Sequence, residues 1–514
     1  MRTNHSIKNI TISILSQLVM VFLGFLSRKV FLDSLGIEYL GINGLLTNVL
    51  SMLALVEGGI GLSITYYLYK PLAENDKKKI IALVQLFKKA YFILSIVILV
   101  LSICLYPLLG TVMNESDTIK FVSVIYFLFI AKNMVSYLNA HKWSLINADQ
   151  RGYVLEKVNI IFQVSTNIAK IILLIKTQNY ILYLALELCL YIIQNLINGH
   201  IVNKRYSYIK TKKKYTIDND TKAGLVKNVK ALFYHNIGGF LVFGTDNILI
   251  SSFISIATVG LYSNYTMITQ QLSSLVNPLL AGIGASVGNL IATESKEKNY
   301  SIFKVSYLMN FWIYSIAVIF LYNLLEPFIS WWLGQQFLLD KLVFIIILIN
   351  FYLTGMRTAI ATFKNKAGLF VQDKYAPLIE GGVNLVASLI LVKYLGLAGI
   401  LLGTTISTIA TIFWTQPLIV YKNIFVKPVW SYFLRYVFYL VLTLIVCYIT
   451  TLICEVLIKH NGFIDLVFKG LISISIPSII YLLIFYRSDE FKYLYKFITS
   501  RFKIKLKSTN QRAG

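Results

Sequence analysis

Charge is scarce in this 514-residue chain, and carboxylates are scarcest: Asp and Glu number 23, and only 14% of residues are charged. Soluble domains carry about 25% charged residues, so a water-facing surface in proportion to this length is excluded. Proline is rare at 8 and cysteine at 4. Cys104, Cys189, Cys447 and Cys454 all stand within apolar runs, with no CxxC and no Cys/His cluster. A thiolate metal site and a disulfide framework are therefore not expected. No GxxxxGK[ST] phosphate loop occurs, and no HExxH or GxSxG stands in a connection expected outside the membrane, so ATP hydrolysis and catalysis at the outer face lose their usual carriers. No polar segment is long enough to fold as a catalytic domain. We expect no enzyme activity, no metal and no cofactor.

What the chain does have is apolar length. Hydrophobic residues make up 57%, arranged in about fourteen runs near 9–31, 40–69, 82–109, 118–140, 154–175, 180–201, 231–251, 258–292, 301–322, 342–363, 377–395, 397–421, 432–458 and 464–486. Runs of about 18 or more apolar residues read as transmembrane helices. The fold class expected is an all-α polytopic membrane protein. The first run lacks a small-residue cleavage site and leads straight into the second, which reads as a retained helix rather than a signal peptide. The net charge of +25 would suit a nucleic-acid partner, but most of the 48 Lys and Arg lie in alternate connections between runs. That asymmetry orients a membrane protein with both termini cytoplasmic, and no nucleic-acid partner is expected.

A basic segment over 202–230 divides the runs into an N-terminal lobe of six helices (1–201) and a C-terminal lobe of six (231–421). Two peripheral helices (422–486) and a basic cytoplasmic tail (487–514) follow. The lobes echo each other. LGINGLLTNVLSMLALVEGGIG, from Leu40, aligns with VGLYSNYTMITQQLSSLVNPLLAGIG, from Val259, and the spacing from Gly41 to Lys77 equals that from Gly260 to Lys296. An even number of spans in each half makes the repeat parallel. Such pseudo-symmetric repeats place a substrate site at their interface near the bilayer midplane.

Polar residues inside the runs fall at helical spacing. The fourth run places Lys132, Ser136 and Asn139 on one face, and the tenth places Asn350, Thr354 and Arg357 likewise. The fifth carries Glu156, Asn159, Gln163, Thr166, Asn167 and Lys170 along its length. Arg28 ends the first run, Glu57 stands beside Gly58 and Gly59 in the second, and Asp246 lies in the seventh. A cation at bilayer depth costs about 2.5–3.5 kcal/mol on insertion scales, so it faces a cavity or a partner. Two readings remain open for Lys132 and Arg357: contact with an anionic load, or an ion pair with Glu57 or Asp246, with Glu187 as a further partner. For Lys170 the second reading is snorkelling to the outer surface.

GFLSRKVFLDSLGIEYLGINGLL (from Gly24), VEGGIGLSITYYLYKPLAEND (from Val56), NADQRGY (from Asn147) and QDKYAPLIEGGVNLVASLILVKYLGLAGILLGTTIS (from Gln372) together resemble the polysaccharide-transport branch of the multidrug/oligosaccharidyl-lipid/polysaccharide exporter superfamily. The resemblance implies a bacterial cytoplasmic-membrane flippase. It would move polyprenyl-diphosphate-linked oligosaccharide repeat units from the inner to the outer leaflet by alternating access, for capsule, exopolysaccharide or O-antigen assembly. Substrate contacts are then expected at Arg28, Lys132, Arg357, Lys170, Asn159 and Gln163, with Glu57 and Asp246 as coupling or counter-ion groups for H+ or Na+. Relatives that carry the peptidoglycan precursor place an arginine where Arg28 stands and often an acid next, where this chain has Lys29. Membrane lipids and a polysaccharide polymerase are the implied partners. The alternative within the same fold is a cation-coupled multidrug or small-molecule antiporter, which predicts an acidic rather than a cationic cavity. The orientation is open to direct test. Reporter fusions after residue 230 and at the C-terminus should score as cytoplasmic, whereas a fusion at 338, between the ninth and tenth runs, should score as external.

Overall fold

The computed structural model of the chain describes residues 2–113, 121–149, 151–369, 372–458 and 462–496. The last part of the basic tail, Gln150 of NADQRGY and Val371 lie outside them. The described residues are helical throughout and fall into two compact units, Met1–Ser263 and Asn264–Gly514.

In the first unit, α1 (Arg2–Leu35) leads through Gly36 into α2 (Ile37–Ala54) and α3 (Ile60–Ala73). The break between α2 and α3 is where the sequence places Glu57 and its glycines. A 3-10 turn over Leu55–Glu57 ends in Gly58 and Gly59, both at positive φ (57° and 76°), a conformation that glycine adopts without steric cost. Asp76 caps α4 (Lys77–Leu105), its side chain accepting from the Lys79 amide at 3.0 Å. A short α5 (Leu109–Val112) precedes α6 (Val122–Leu138) and α7 (Ala140–Ala148), a pair bent by 46°. Next come α8 (Tyr153–Thr177), α9 (Tyr180–Arg205) capped by Asn179, α10 (Asn219–Phe243), α11 (Asp246–Phe253) and α12 (Ile256–Thr293), whose residues from Asn264 on belong to the second unit.

The basic segment before α10 is pinned to α4. The Gln85 amide donates to the Lys213 carbonyl at 2.8 Å and accepts from the Tyr215 N–H at 3.1 Å. Asp218 caps α10 and pairs with Lys79 at 3.0 Å. Hydrogen bonds from Thr221 and from the Lys79 ammonium hold its carboxyl below the usual carboxylate range.

The second unit continues with α13 (Lys296–Trp332), α14 (Lys341–Lys366), α15 (Ala376–Ala410), α16 (Ile412–Val420), α17 (Trp430–Leu457) and α18 (Phe463–Phe485). Its core is aromatic. Phe311 stacks on Tyr439 at 4.1 Å between ring centroids and Tyr307 on Tyr432 at 5.2 Å, tying α13 to α17, while the Ser315 and Tyr481 hydroxyls join α13 to α18. Lipid tails are as apolar as leucine, so such specific packing, rather than apolar burial, holds membrane helices together.

Among the described residues, nine helical stretches are long and apolar enough to cross a membrane, or ten if the bent α6–α7 pair is one span. This confirms a multi-pass, all-helical membrane protein, with fewer qualifying stretches than the fourteen expected. Part of the difference has a simple cause. Ala376–Phe425 counts as one stretch of 50 residues, about 75 Å at 1.5 Å per residue, against a hydrocarbon core of about 30 Å. Gly396 (φ 54°, ψ −130°) interrupts it. The two arms of α15 lie antiparallel, with Ser388 donating to the Ile400 carbonyl at 3.0 Å, Asn384 to Thr404 at 3.0 Å and Thr408 to Glu380 at 3.4 Å. This hairpin is the LGLAG turn read from the sequence. The expected span 40–69 is likewise split, into α2 and α3.

Close helix contact relies on particular glycines. A Cβ on Gly355 would lie 2.1 Å from the ring of Tyr314, between α14 and α13, whereas Gly382 has open space around it. Gly355→Ala should therefore cost roughly 1–3 kcal/mol by overpacking, and Gly382→Ala should gain about 0.5–1 kcal/mol. Thermal unfolding of the detergent-solubilised protein would show equal shifts for both if the Tyr314 contact were not real.

Candidate functional site

In the first unit the polar groups converge on α9. Tyr183, Glu187, Tyr191, Gln194 and Asn198 recur at helical spacing and form one face. Lys132 of α6 donates to Glu187 Oε1, and Lys170 of α8 donates to Oε2 at 2.5 Å. Lys170 Nζ also sits 4.1 Å from the centre of the Tyr183 ring, within cation–π range. Arg28 on α1 donates to Ser263 Oγ at 2.8 Å and acts electrostatically on the same Tyr183. Phe31, one turn on, packs edge-on against Tyr183 at 5.4 Å and holds α1 to α9. Arg28, Lys132 and Lys170 are thus gathered around one carboxylate and one phenol.

Farther along the same face, Asn159 of α8 accepts from Gln194 and Asn198, each at 2.8 Å. Asn139 of α6 donates to Asn195 at 2.5 Å. Gln163, between Asn159 and Lys170 on α8, is exposed and stands apart from this cluster. The fifth-run stripe therefore meets α9 at its two ends and not along its whole length.

Several sequence expectations need correction. Of the three acids offered for Lys132, Glu187 is its counter-ion, and Glu57 and Asp246 are not. Glu57 instead accepts from the Tyr91 hydroxyl at 2.5 Å, which fixes the α2–α3 break against α4. Lys170 does not snorkel: its side chain is only 12% exposed and is spent on Glu187 and Tyr183. Asp246, the first residue of α11, is buried, and its Oδ1 has no hydrogen-bond partner among the described residues.

Arg357 belongs to the second unit. Its guanidinium lies 3.8 Å from Glu380 of α15, whose other contact is Thr408. Asn350, two turns earlier on α14, donates to the Leu401 carbonyl at 2.9 Å and accepts from Thr405 at 2.7 Å. Thr354, between them, is exposed. The tenth-run stripe is thus largely a docking edge for the α15 hairpin, and Arg357 is matched one-to-one with an acid. Glu380 was not singled out in the sequence, although its EGG context within an otherwise apolar run marks it. Gln194, Asn195 and Asn198 were also missed. Their helical spacing from Glu187 was the available signal.

The two ammoniums on Glu187 differ in exposure: Lys132 is 44% exposed, Lys170 12% and Glu187 21%. Removing the carboxylate leaves both cations stranded, so Glu187→Gln should destabilise by about 3–5 kcal/mol. Lys132→Met leaves Glu187 paired with Lys170 and should stay within about 1 kcal/mol. Equal thermal stability of Glu187→Gln and wild type would show that Glu187 does not neutralise these lysines.

A sequence profile of the family described as polysaccharide biosynthesis protein matches residues 6–283. No curated protein sequence matches the chain at a significant level. Among solved structures, the lipid II flippase MurJ in an inward closed conformation aligns over 92% of this chain and 98% of its own, with a TM-score of 0.64 and 15% identity. The MATE multidrug transporter DinF-BH aligns over 80% and 95% with a TM-score of 0.55 and 14% identity. A mutant of the Vibrio cholerae MATE transporter VcmN aligns over 81% and 96% with a TM-score of 0.54 and 14% identity. At these identities the likeness establishes a shared fold and nothing beyond it.

Proposed function

Since this chain belongs to the polysaccharide biosynthesis protein family and shares the fold of the lipid II flippase MurJ, we propose that it is a transporter rather than an enzyme, and a flippase for polyprenyl-diphosphate-linked oligosaccharide repeat units. The load is made on the cytoplasmic leaflet and delivered to the outer one by alternating access, in fourteen crossings with both termini cytoplasmic in a bacterial inner membrane. The observation that carries this reading is the pairing of Lys132 and Lys170 with a single Glu187, joined by Arg28 at Tyr183. A surplus of cation within membrane-spanning helices suits an anionic load and opposes a cationic drug.

The diphosphate is held by Arg28 and Lys132, with Lys170 keeping its place on Glu187 and Tyr183 beside them. Arginine presents a planar fork of paired donors to phosphate, and the lysine acts as a point charge. One cation 4 Å from a phosphate charge gains about 4 kcal/mol at an effective dielectric of 20. Asn159, Gln194 and the exposed Gln163 lie along the same pair of helices and supply hydrogen bonds for sugar hydroxyls. The prenyl chain follows the two peripheral helices. A cavity of about 690 Å³ lined by Tyr322, Leu348, Phe413, Leu440, Leu444 and Thr451 supports that route, because its walls are almost wholly apolar.

Two driving forces fit. Two negative charges moving outward through 100 mV gain about 4.6 kcal/mol. Alternatively, the unpaired Oδ1 of Asp246 favours H+ or Na+ coupling, with Glu57 as the other candidate carboxylate. The same unpaired acid is the one feature that favours a cation-coupled antiporter. The test is flipping of a fluorescent polyprenyl-diphosphate oligosaccharide in proteoliposomes. The Lys132→Gln/Lys170→Gln double variant should lose at least about tenfold in rate, the equivalent of 1.4 kcal/mol. Undiminished flipping in that variant would overturn the assignment of the lysines, and no flipping by wild type alongside export of a cationic dye would move the function to the antiporter. Clamping the potential to zero separates the drives: unchanged turnover leaves coupling through Asp246.

A further inference from the structure

We propose that the connection between α16 and α17 is a binding site for the headgroup of an anionic phospholipid, separate from the path of the transported load. α16 runs into a π-helical turn over Tyr421–Phe425. Single π-turns within helices gather at functional positions. The turn is rigidly anchored. Tyr421 and Phe425 are each 2% exposed and pack among Tyr300, Phe303, Phe363 and Tyr432.

The chain then reverses at Val426, which stands at φ 54° and ψ 51°. Helices commonly end in this left-handed conformation, but the residue there is ordinarily glycine or asparagine. A β-branched residue at positive φ is a genuine outlier. Strain of this kind persists only where the surroundings impose it, and it concentrates at ligand clamps and active sites. The Lys427 N–H closes the reversal by donating to the Tyr421 carbonyl at 3.2 Å.

This reversal brings two cations to the mouth of one cavity. The cavity holds about 350 Å³ and is lined by Leu418, Tyr421, Lys422, Val426, Lys427 and Val429. Lys422 and Lys427 are both exposed, and among the described residues neither forms an ion pair. Lys427 Nζ lies 5.3 Å from the ring centre of Tyr300, which packs edge-on against Tyr421. The carboxylate in electrostatic reach of Lys427 is Glu297, and no ion pair joins them. The neighbouring acid Glu490 is already taken by Lys304 and Arg435, at 3.4 and 3.3 Å.

Apolar surface continues from this basic mouth. Val426 is 59% exposed, Trp430 68% and Leu434 69%. Trp430 and Leu434 are one turn apart on α17, so they form a strip that leads from the lysines along the helix. An indole beside lysines at a helix end is the composition of a membrane–water boundary. Phosphate between the two ammoniums, with an acyl chain along Val426, Trp430 and Leu434, satisfies both halves of the surface. A zwitterionic headgroup would place its own cation against Lys422 and Lys427. A free anion would leave the apolar strip bare. Anionic lipid near a basic segment is attracted in proportion to the number of lysines.

The experiment is native mass spectrometry of the full-length protein, delipidated and then equilibrated with phosphatidylglycerol, phosphatidylcholine or undecaprenyl phosphate. Wild type should retain one phosphatidylglycerol at least about fivefold more than Lys422→Gln/Lys427→Gln, and Lys422→Arg/Lys427→Arg should retain it as wild type does. The lysines are exposed, so the variants should unfold at the wild-type temperature, and that measurement guards against a folding artefact. Equal retention of phosphatidylglycerol by wild type and the Gln pair would overturn the proposal, as would equal retention of phosphatidylcholine by wild type. Loss in the Gln pair of undecaprenyl phosphate but not of phosphatidylglycerol would also overturn it, since the site would then belong to the transported load. Flipping activity does not enter the readout, so failure here leaves the flippase assignment standing.

Discussion

Hydrocarbon offers no hydrogen bond and no dielectric screening, so a polar group inside a membrane-spanning helix must find a partner. Ser102, Asn323 and Thr450 use a carbonyl one turn back in their own helix, and charged groups need a partner on another helix. That constraint fixes how these helices meet. Lipid gives apolar side chains little reason to prefer one another, and the register of neighbouring helices falls to a small number of polar contacts and tight glycines. The α15 hairpin shows the principle at its plainest. Three side-chain rungs, from Glu380, Asn384 and Ser388 to the opposite arm, line up about Gly396. Gly399 meanwhile brings backbone against backbone at the Leu391 carbonyl. On α14, Asn350 and Arg357 attach the hairpin to its neighbour.

The two units obey the constraint differently. In the second, Arg357 is matched with Glu380 and buried Lys364 with Asp373, while Lys304 and Arg435 share Glu490 toward the helix ends. In the first, two lysines share Glu187, and Asp246 keeps an oxygen without a partner among the described residues. Paired charges are what a scaffold needs. An uneven count inside the membrane destabilises the scaffold and is retained where the protein must engage a charged ligand.

Much of this was legible in the sequence. Apolar run length gave the all-helical, multi-pass class, though fewer stretches qualify than were expected, and Lys132, Lys170, Arg28 and Arg357 stood out because each interrupts or ends such a run. The boundary at Gly396 between two runs was read, whereas the break at Gly58 and Gly59 was not, since 40–69 reads as one apolar run. What was not legible is partnership. Glu57, Asp246 and Glu187 are each a single acid in an apolar run, and nothing local says which one faces Lys132. That depends on α6 and α9 being neighbours, a property of the folded unit. Glu380 escaped notice for a related reason: near the end of a span, an acid reads as interfacial, and only the α14–α15 contact places it opposite Arg357. The polar face of α9 was hidden by aromatic residues, since Tyr183 and Tyr191 count as apolar although they continue the stripe.

On the flippase reading, the shared carboxylate also bears on release. A site built of bare cations would bind a diphosphate tightly and hold it. Glu187 competes for the same two ammoniums, so the load gains only the difference between its own contacts and those it displaces. Lys132, the more exposed of the two, can turn to the load while Lys170 stays on Glu187 and Tyr183. When the load departs, Lys132 returns to a carboxylate already in place, and no uncompensated charge is left in the membrane. The ion pair is then not an alternative to substrate binding, the choice left open by the sequence, but the resting state of the same groups. A structural pair and a binding pair predict different things of Lys132 alone: the first requires it for stability, the second for transport. Because Lys170 also pairs with Glu187, the loss of Lys132 alone separates the two: on the flippase reading it should spare stability and cost transport.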